Sequence, residues 1–526
     1  MSAFAGTPTF VRFFLRRDAF SLVWWILGAV VLYWSQAVSV DSLYATQTEF
    51  DQAAASMQNN AALIAMAGPA RVLNTVGGQV AWQASAFGAI VAGLMSMFLI
   101  GRHTRVEEES GREELIRAGA VGRYAPVVAA VVVVSFANAL LGLGIAASLI
   151  AYGLPAGGSI SLGLAATLAG LVFMSVALLA AQLTEGARAM YGITGAVIGI
   201  AYGLRAIGDI GNGSWSWLSP IGWGQAMRAY AGEIWWPALL SVVAASILSF
   251  VALRILDRRD VGAGVWPTKQ GPARGGTSMR SALGLAWRLQ KGTVIGWAVG
   301  MFVMGLAYGS IGKDVGDLLG DSKFSKDVFA ASGGELVKSF YSSIALMLAL
   351  IASSFAISSA LRLRGEEVSG RVEALLATAL PRWRWAASHA LVTLLGSLLV
   401  IAAGGFGTGL TYGLISGDGS QVWRLTMAAL GHLPAVLILA GLTLVLVGFV
   451  PRFAAAGWIA LAFCFVVMMF GKLFKFPAWL IDLSPFGHLP LLPSQDFRLM
   501  PVATEIVVAG ALVLLACAGL RRRDIS

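Results

Sequence analysis

The chain has 526 residues, 57% of them hydrophobic and only 12% charged, with a mean hydropathy of +0.77. Soluble domains carry about twice that charge, so water is excluded as the main solvent. The formal net charge of +10 suits nucleic acid or anionic lipid, and the placement of the charge decides between them.

A membrane-crossing helix needs roughly 20 mostly apolar residues. The sequence predicts twelve such runs, at 20–38, 79–101, 126–152, 160–184, 190–209, 234–256, 292–311, 340–361, 386–415, 424–450, 454–471 and 501–520. They are continuous rather than alternating, which excludes a β-barrel. The expected fold is an all-α polytopic membrane protein. The first run is too long for a cleavable signal, and no clear A-x-A site follows it. Ahead of it, in TFVRFFLRRD, Phe10, Phe13 and Phe14 share one helical face and Arg12 and Arg16 another. That pattern predicts a short elbow helix in the membrane interface, either a motion sensor or a topology anchor. Leu283, Leu285, Trp287 and Leu289 with Arg280, Arg288 and Lys291 predict a second. With the N-terminus in the cytoplasm and sides alternating, the cytoplasmic segments hold most of the 37 Lys and Arg residues. That obeys the positive-inside rule. Both termini are then expected in the cytoplasm and the spans in the plasma (inner) membrane. Membrane lipid is the natural partner of the basic excess, and no nucleic acid is expected.

The chain reads as a tandem repeat. Arg105, Glu107, Glu108, Ser110, Gly111, Arg112, Glu114 and Arg123 return as Arg364, Glu366, Glu367, Ser369, Gly370, Arg371, Glu373 and Arg382, each 259 positions on. Leu218-Ser219-Pro220-x-Gly222 returns as Leu483-Ser484-Pro485-x-Gly487, and Arg258-Arg259-Asp260 as Arg522-Arg523-Asp524. Residues 1–256 and 291–526 are then two six-span halves, and 257–290 a cytoplasmic linker with the second elbow. Six is even, so the halves are parallel repeats.

The acidic island after the second span of each half stands against the basic bias. Ser110 with Glu113 fits a capping box; the second copy has Val372 in place of that glutamate. Gly111 and Gly370 permit tight turns or close backbone approach. The glutamates can accept charge-assisted hydrogen bonds from a partner's arginines, with Leu115 and Ile116, or Leu375 and Leu376, filling an apolar socket. The alternative is a solvated loop tied by its own Glu–Arg pairs. Duplication at one register favours the first.

The pattern E-E-x-S-G-R-x-E-x-L, followed by small residues and an Arg-aromatic pair, resembles the permease of type-2 ABC exporters. The double-length form is similar to polyketide-antibiotic (tetronasin-type) exporter permeases. The resemblance implies multidrug efflux by two parallel six-helix repeats, and coupling helices at Glu107–Ile116 and Glu366–Leu376. Within these, Glu107, Glu108, Gly111, Arg112, Glu114, Leu115 and Ile116 would meet one nucleotide-binding subunit, and Glu366, Glu367, Gly370, Arg371, Glu373, Leu375 and Leu376 another. It also implies re-entrant segments around both Leu-Ser-Pro-x-Gly motifs, which help close the exit.

The phosphate-binding loop G-x-x-x-x-G-K-[ST] is absent from the sequence. No cofactor or catalytic residue is expected in this chain; ATP and Mg belong to a separate ATPase subunit, in two copies. His103, His389, His432 and His488 show no ligand spacing, so no metal is expected. Arg205, Asp209 and Glu505 are ionisable residues inside spans, and all are expected to reach an interface. An apolar substrate path suits Phe87, Met95, Met97 and Phe98, with Met347, Phe463, Met468 and Met469; ordinary packing is the competing reading for each. The function expected is export of hydrophobic small molecules by alternating access. A proton-driven twelve-span carrier and a non-transporting scaffold are the alternatives.

Overall fold

The computed structural model of the chain describes residues 2–523 apart from 45, 59–60, 114–118, 120, 261, 268–275, 277–278, 280, 312–334 and 471–475. Every described element is helical, as backbone in lipid requires when no closed barrel is built. Among the described residues, 12 helices are long and apolar enough to cross a membrane. They divide equally between two compact units, Met1–Gly271 and Pro272–Ser526.

Unit 1 contains α1 (Thr7–Leu43), α2 (Gln47–Gln58), α3 (Ala61–Ala67), α4 (Val76–His103), α5 (Arg105–Glu109), α6 (Ala125–Tyr152), α7 (Ala156–Leu183), α8 (Ala187–Ile210), α9 (Pro220–Ala226) and α10 (Pro237–Arg258). Helices α4 and α7 form its centre, with Met95, Ile100, Leu178 and Ala181 buried together. Small residues bring the backbones close: a Cβ on Gly142 of α6 would strike the carbonyl of Gly163 in α7, and the reverse. Phe20, Trp24 and Leu27 of α1 and Leu239, Ile247 and Phe250 of α10 are exposed, an apolar rim that suits lipid.

Unit 2 contains α11 (Ala282–Ile311), α12 (Glu335–Val368), α13 (Arg371–Leu376), α14 (Arg382–Ser416), α15 (Ser420–Leu430), α16 (Leu433–Phe449), α17 (Gly457–Phe470), α18 (Ala478–Asp482) and α19 (Leu499–Arg522). The run expected at 424–450 is split at Gly431–His432, because Pro434 lacks the N–H that would continue α15 and instead opens α16.

Two expectations change. The elbow and first span of unit 1 are one helix: Pro8 opens α1 and no proline interrupts it before Leu43. Phe14 is buried and stacks on His103 of α4 with ring centroids 3.9 Å apart, and Phe10 packs on the same core, while Phe13 is exposed. The second elbow is likewise the start of α11. The first part of the linker is pinned to unit 1, where Trp266 N–H donates to the Leu183 carbonyl at 2.8 Å.

Between α8 and α10 the chain makes a 3-10 turn, Trp215–Leu218, and the short α9, which packs on α7. The Leu-Ser-Pro-x-Gly motif starts that helix. Buried Ser219 accepts from the N–H groups of Ile221 and Gly222 and donates to the Ala201 carbonyl at 2.7 Å; Pro220 needs no N–H partner at the first turn. Ile221 is buried at the x position, as is Phe486 in the second copy. Trp215, Trp217, Trp235 and Trp236 are exposed around the segment, and Trp217 stacks on Trp236 at 5.3 Å.

Candidate coupling site

The acidic island is the last turn of the second membrane helix rather than a loop. In unit 1, α4 breaks at Thr104 and resumes as α5; in unit 2, α12 runs unbroken to Val368. One face of this turn points back into the bundle and carries the twin glutamates.

Glu108 is the centre of the first cluster. Its carboxylate accepts from Arg105 Nη1 at 2.8 Å, from Arg259 Nη1 at 3.0 Å and Nη2 at 2.5 Å, and from Gly262 N–H at 3.3 Å. Fully buried Arg105 also donates to the carbonyls of Ala181 and Ala263. Arg259 Nε donates to Gln182 Oε1 at 2.7 Å. Arg123 donates to the carbonyls of Leu256, Asp257 and Arg259, which are acceptors the end of α10 leaves unpaired. A guanidinium there also meets the negative end of the helix dipole. The N-terminal segment joins in: Gly122 and Tyr124 N–H groups donate to the carbonyls of Ala5 and Ala3.

Unit 2 repeats the core of this cluster. Glu367 accepts from Arg364 Nη1 at 3.0 Å and from Arg523 Nη2, and Arg382 donates to the Arg523 carbonyl at 2.7 Å. The residues that recur in the sequence, Arg105/Arg364, Glu108/Glu367, Arg123/Arg382 and Arg259/Arg523, are those that meet in space. Each set clasps the end of the second span to the start of the third and the end of the sixth.

The outer glutamates are also satisfied internally. Glu107 pairs with Arg17 at 2.5 Å and lies 3.9 Å from Arg112; Glu366 pairs with Arg362 at 2.7 Å and lies 3.8 Å from Arg371. Glu109 accepts from Ala187 N–H at 2.7 Å at the start of α8. Glu107, Glu108, Glu366 and Glu367, expected to offer their carboxylates to a partner's arginines, are each engaged by the chain's own arginines; a desolvated carboxylate is held by the nearest cation. The capping box is corrected. Ser110 and Ser369 donate back to the carbonyls of Glu107 and Glu366, closing the helix behind them instead of starting the next.

The outward surface is smaller than expected. Gly111 and Gly370 hold left-handed φ of 70° and 69° with nothing within 4 Å of an added Cβ, so the turn needs the backbone and not the space. Arg112 and Arg371 side chains are 69% and 65% exposed. Glu373 is exposed, and Leu375 and Leu376 are half-buried, Leu376 against the unit's own core. Glu113 and Val372 occupy one repeated position, and both face inward. Glu114, Leu115 and Ile116 lie outside the described residues.

Sequence reasoning missed a second group beside the first clasp. Asp18 of α1 is fully buried, 2.7 Å from Arg102 Nη1 and 2.5 Å from His103 Nε2. Arg17 Nη2 reaches His103 Nδ1 at 2.8 Å. A guanidinium only donates, so Nδ1 accepts and the ring proton sits on Nε2, facing Asp18. The sequence carried little signal, because Asp18 falls ahead of the apolar run at 20–38; once α1 is continuous, an aspartate inside it demands a partner. Arg205, placed in the sequence near an interface, is fully buried; it donates to the Met66 carbonyl at 3.0 Å and lies 3.5 Å from Asp209. Glu505 is buried as well.

Within unit 1 the proposed path residues divide between the core and the surface. Met95 and Met97 are enclosed in the core of unit 1, while Phe87 and Phe98 are exposed on α4. Met347 is half-buried and accepts from the Tyr308 hydroxyl; Phe463 and Met468 pack against the core of unit 2. Nothing is described of the Met469 side chain.

Residues 279–521 match the family described as "Multidrug efflux system permease Rv1217c, C-terminal domain". The chain is 38% identical to the multidrug efflux system permease protein Rv1217c of Mycobacterium tuberculosis (strain ATCC 25618 / H37Rv), over 529 residues covering 100% of this chain and 96% of that protein. With one clasp in each half and a likeness that runs end to end, the chain belongs to the family of the Rv1217c multidrug efflux system permease.

Proposed function

We propose that this chain is the permease subunit of an ATP-driven exporter of hydrophobic or amphipathic compounds, powered by two copies of a separate ATPase that dock from the cytoplasm. The observation that carries this reading is the duplicated clasp. A motor pushing on a flexible loop would bend the loop. Here the helix ends just before Gly111 and Gly370 are tied by ion pairs to the end of the sixth span of the same unit, which in turn accepts hydrogen bonds from the arginine at the start of the third. A push on the tip then displaces a six-helix body as a rigid element, the kind of motion alternating access requires. The partner meets the exposed Arg112, Arg371 and Glu373, together with Glu114, Leu115 and Ile116. The inward glutamates hold the handle and do not touch the motor. The basic ends of the sixth spans stay on the cytoplasmic side with both termini, in the plasma membrane. Likeness to a protein named for multidrug efflux supports an apolar, drug-like cargo, and the tetronasin-type resemblance supports antibiotics within that class.

The test is Glu114→Arg with Glu373→Arg in the full chain, reconstituted with its ATPase. Substrate-stimulated ATP hydrolysis should be lost while insertion is retained. Normal stimulated turnover removes the docking assignment. A proton-driven carrier is favoured by buried Asp18 and Glu505 inside spans; transport that stops when the proton gradient collapses, with ATP intact, selects it.

A further inference from the structure

At the end of unit 1 away from its clasp, a small cavity of about 40 Å3 is lined by Arg71, Trp82, Ser85, Gln225 and Arg228, with Gly78 in the first turn of α4 at its edge. The two guanidiniums come from separate segments, one before α4 and one after α9. Among the described residues neither forms an ion pair. Arg71 donates to the Gln225 carbonyl at 3.0 Å. Burial, and then the neighbouring Arg228, push its guanidinium below the usual range, against the pull of Asp209. Asp209 is itself engaged by Arg205 and by the Ser216 hydroxyl at 2.6 Å.

Backbone strain gathers at the same place. Among the described residues the non-glycine positions with left-handed φ are Val72 at 47°, Arg228 at 54° and Tyr230 at 61°. Val72 follows one cavity arginine, Arg228 is the other, and Tyr230 stands two residues on. Such conformations persist only where the surroundings hold them, and they cluster at functional sites. Tyr230 is the peg that holds this one. Its ring occupies the space over Gly77 and Gly158 that a Cβ would fill, and its hydroxyl meets Ser159 Oγ at 2.8 Å. Burial pushes the phenol up to about 12, so it stays neutral. The peg sets Arg228 beside Arg71 against their repulsion. The positive end of α4, whose first turn is capped by Thr75, adds charge of the same sign.

We propose that this cavity binds one anionic group, a phosphate or a carboxylate. An oxyanion there would take charge-assisted hydrogen bonds from both arginines and offset the repulsion that the strained loop imposes. The cavity has room for about three water-sized groups, far below the ~300 Å3 of the smallest drug-sized pockets. It therefore takes a headgroup or a free oxyanion and not a whole cargo molecule. The site exists with or without a partner ATPase.

The full chain in phosphatidylcholine nanodiscs is titrated calorimetrically with dodecyl phosphate, with inorganic phosphate, and with dodecyltrimethylammonium as the cationic control, each against empty nanodiscs. Saturable one-site binding of phosphate, no saturable binding of the cation, and at least tenfold weaker binding in Arg71→Gln and Arg228→Gln are expected. Tighter binding of dodecyl phosphate than of inorganic phosphate assigns the site to an amphiphile; equal affinities assign it to a free oxyanion. Arg228→Gly separates binding from folding, because it relieves the left-handed φ: its thermal midpoint should hold or rise while its affinity falls. Undiminished affinity in both Arg228 variants, or no saturable binding of either phosphate, overturns the assignment.

Discussion

Replacing Glu108 by alanine tests whether the clasp is a buried structural unit. Glu108 accepts four hydrogen bonds, three of them from Arg105 and Arg259. The side chains of those arginines are 0% and 6% exposed, so water cannot replace the lost carboxylate. Removing one partner of a buried pair costs about 3–5 kcal/mol. For a unit of this size that lowers the thermal midpoint by roughly 6–20 °C, at about 2–4 °C per kcal/mol. Glu367→Ala is the internal control. Its partners Arg364 and Arg523 are 32% and 18% exposed, so water re-solvates them and the loss should be less than half as large, on the order of 1–2 kcal/mol. Scanning calorimetry of the full chain in detergent measures both. The double variant Glu108→Ala with Arg259→Ala should cost less than the sum of the single changes, with about 1–3 kcal/mol of coupling. A larger loss at Glu367 than at Glu108, or strict additivity in the double variant, refutes the burial argument.

Three further outcomes follow from the same geometry. Gly111→Ala and Gly370→Ala should each cost about 1–2 kcal/mol by calorimetry, from left-handed φ alone, and Asn should be milder at both positions because its side chain tolerates that conformation. Ser219→Ala should lower stability by about 1 kcal/mol and Ser484→Ala by less, since Ser219 caps α9 while Ser484 makes no side-chain cap in the second copy. Asp18→Ala should destabilise unit 1 by about 3–5 kcal/mol, because Asp18 lies buried between Arg102 and His103; an unchanged midpoint would show that the cluster is hydrated.

The twelve spans were legible because hydropathy over 18 or more residues is a sum, and a sum tolerates local exceptions. Boundaries at charged ends were not. Arg105 to Glu109 and Arg362 to Val368 read as loop because charge ends an apolar run, yet the helix continues wherever each charge finds a partner on another helix. The repeat register singled out Glu108, Arg123, Arg259 and their copies as residues that recur in both halves. It could not say that they bind one another, because the partners lie 151 residues apart in the chain for Arg259 and Glu108 and only the packed bundle brings them together. That each elbow runs on into its span was not legible for the opposite reason: an amphipathic face such as Phe10 and Phe14 suits a neighbouring helix as well as a lipid surface, and periodicity does not name the neighbour.

The two clasps also differ in a way the repeat hides. In unit 1 the outer glutamate, Glu107, is held by Arg17 of α1, which also reaches His103, so the first helix is locked into the cluster. In unit 2 the equivalent Glu366 is held by Arg362, one turn back on its own helix, at the position His103 occupies in unit 1. The first handle is therefore braced by an extra helix, and the second is braced along its own axis. An equal push on the two tips meets unequal stiffness. If the proposed motor acts on both, Arg17→Ala should bring the first handle toward the behaviour of the second, lowering coupled ATP hydrolysis by a partial amount. Arg362→Ala should leave α11 in place, because that helix takes no part in holding Glu366. An equal effect of the two substitutions on the cross-linking of α1 to α4 and of α11 to α12 would remove the asymmetry.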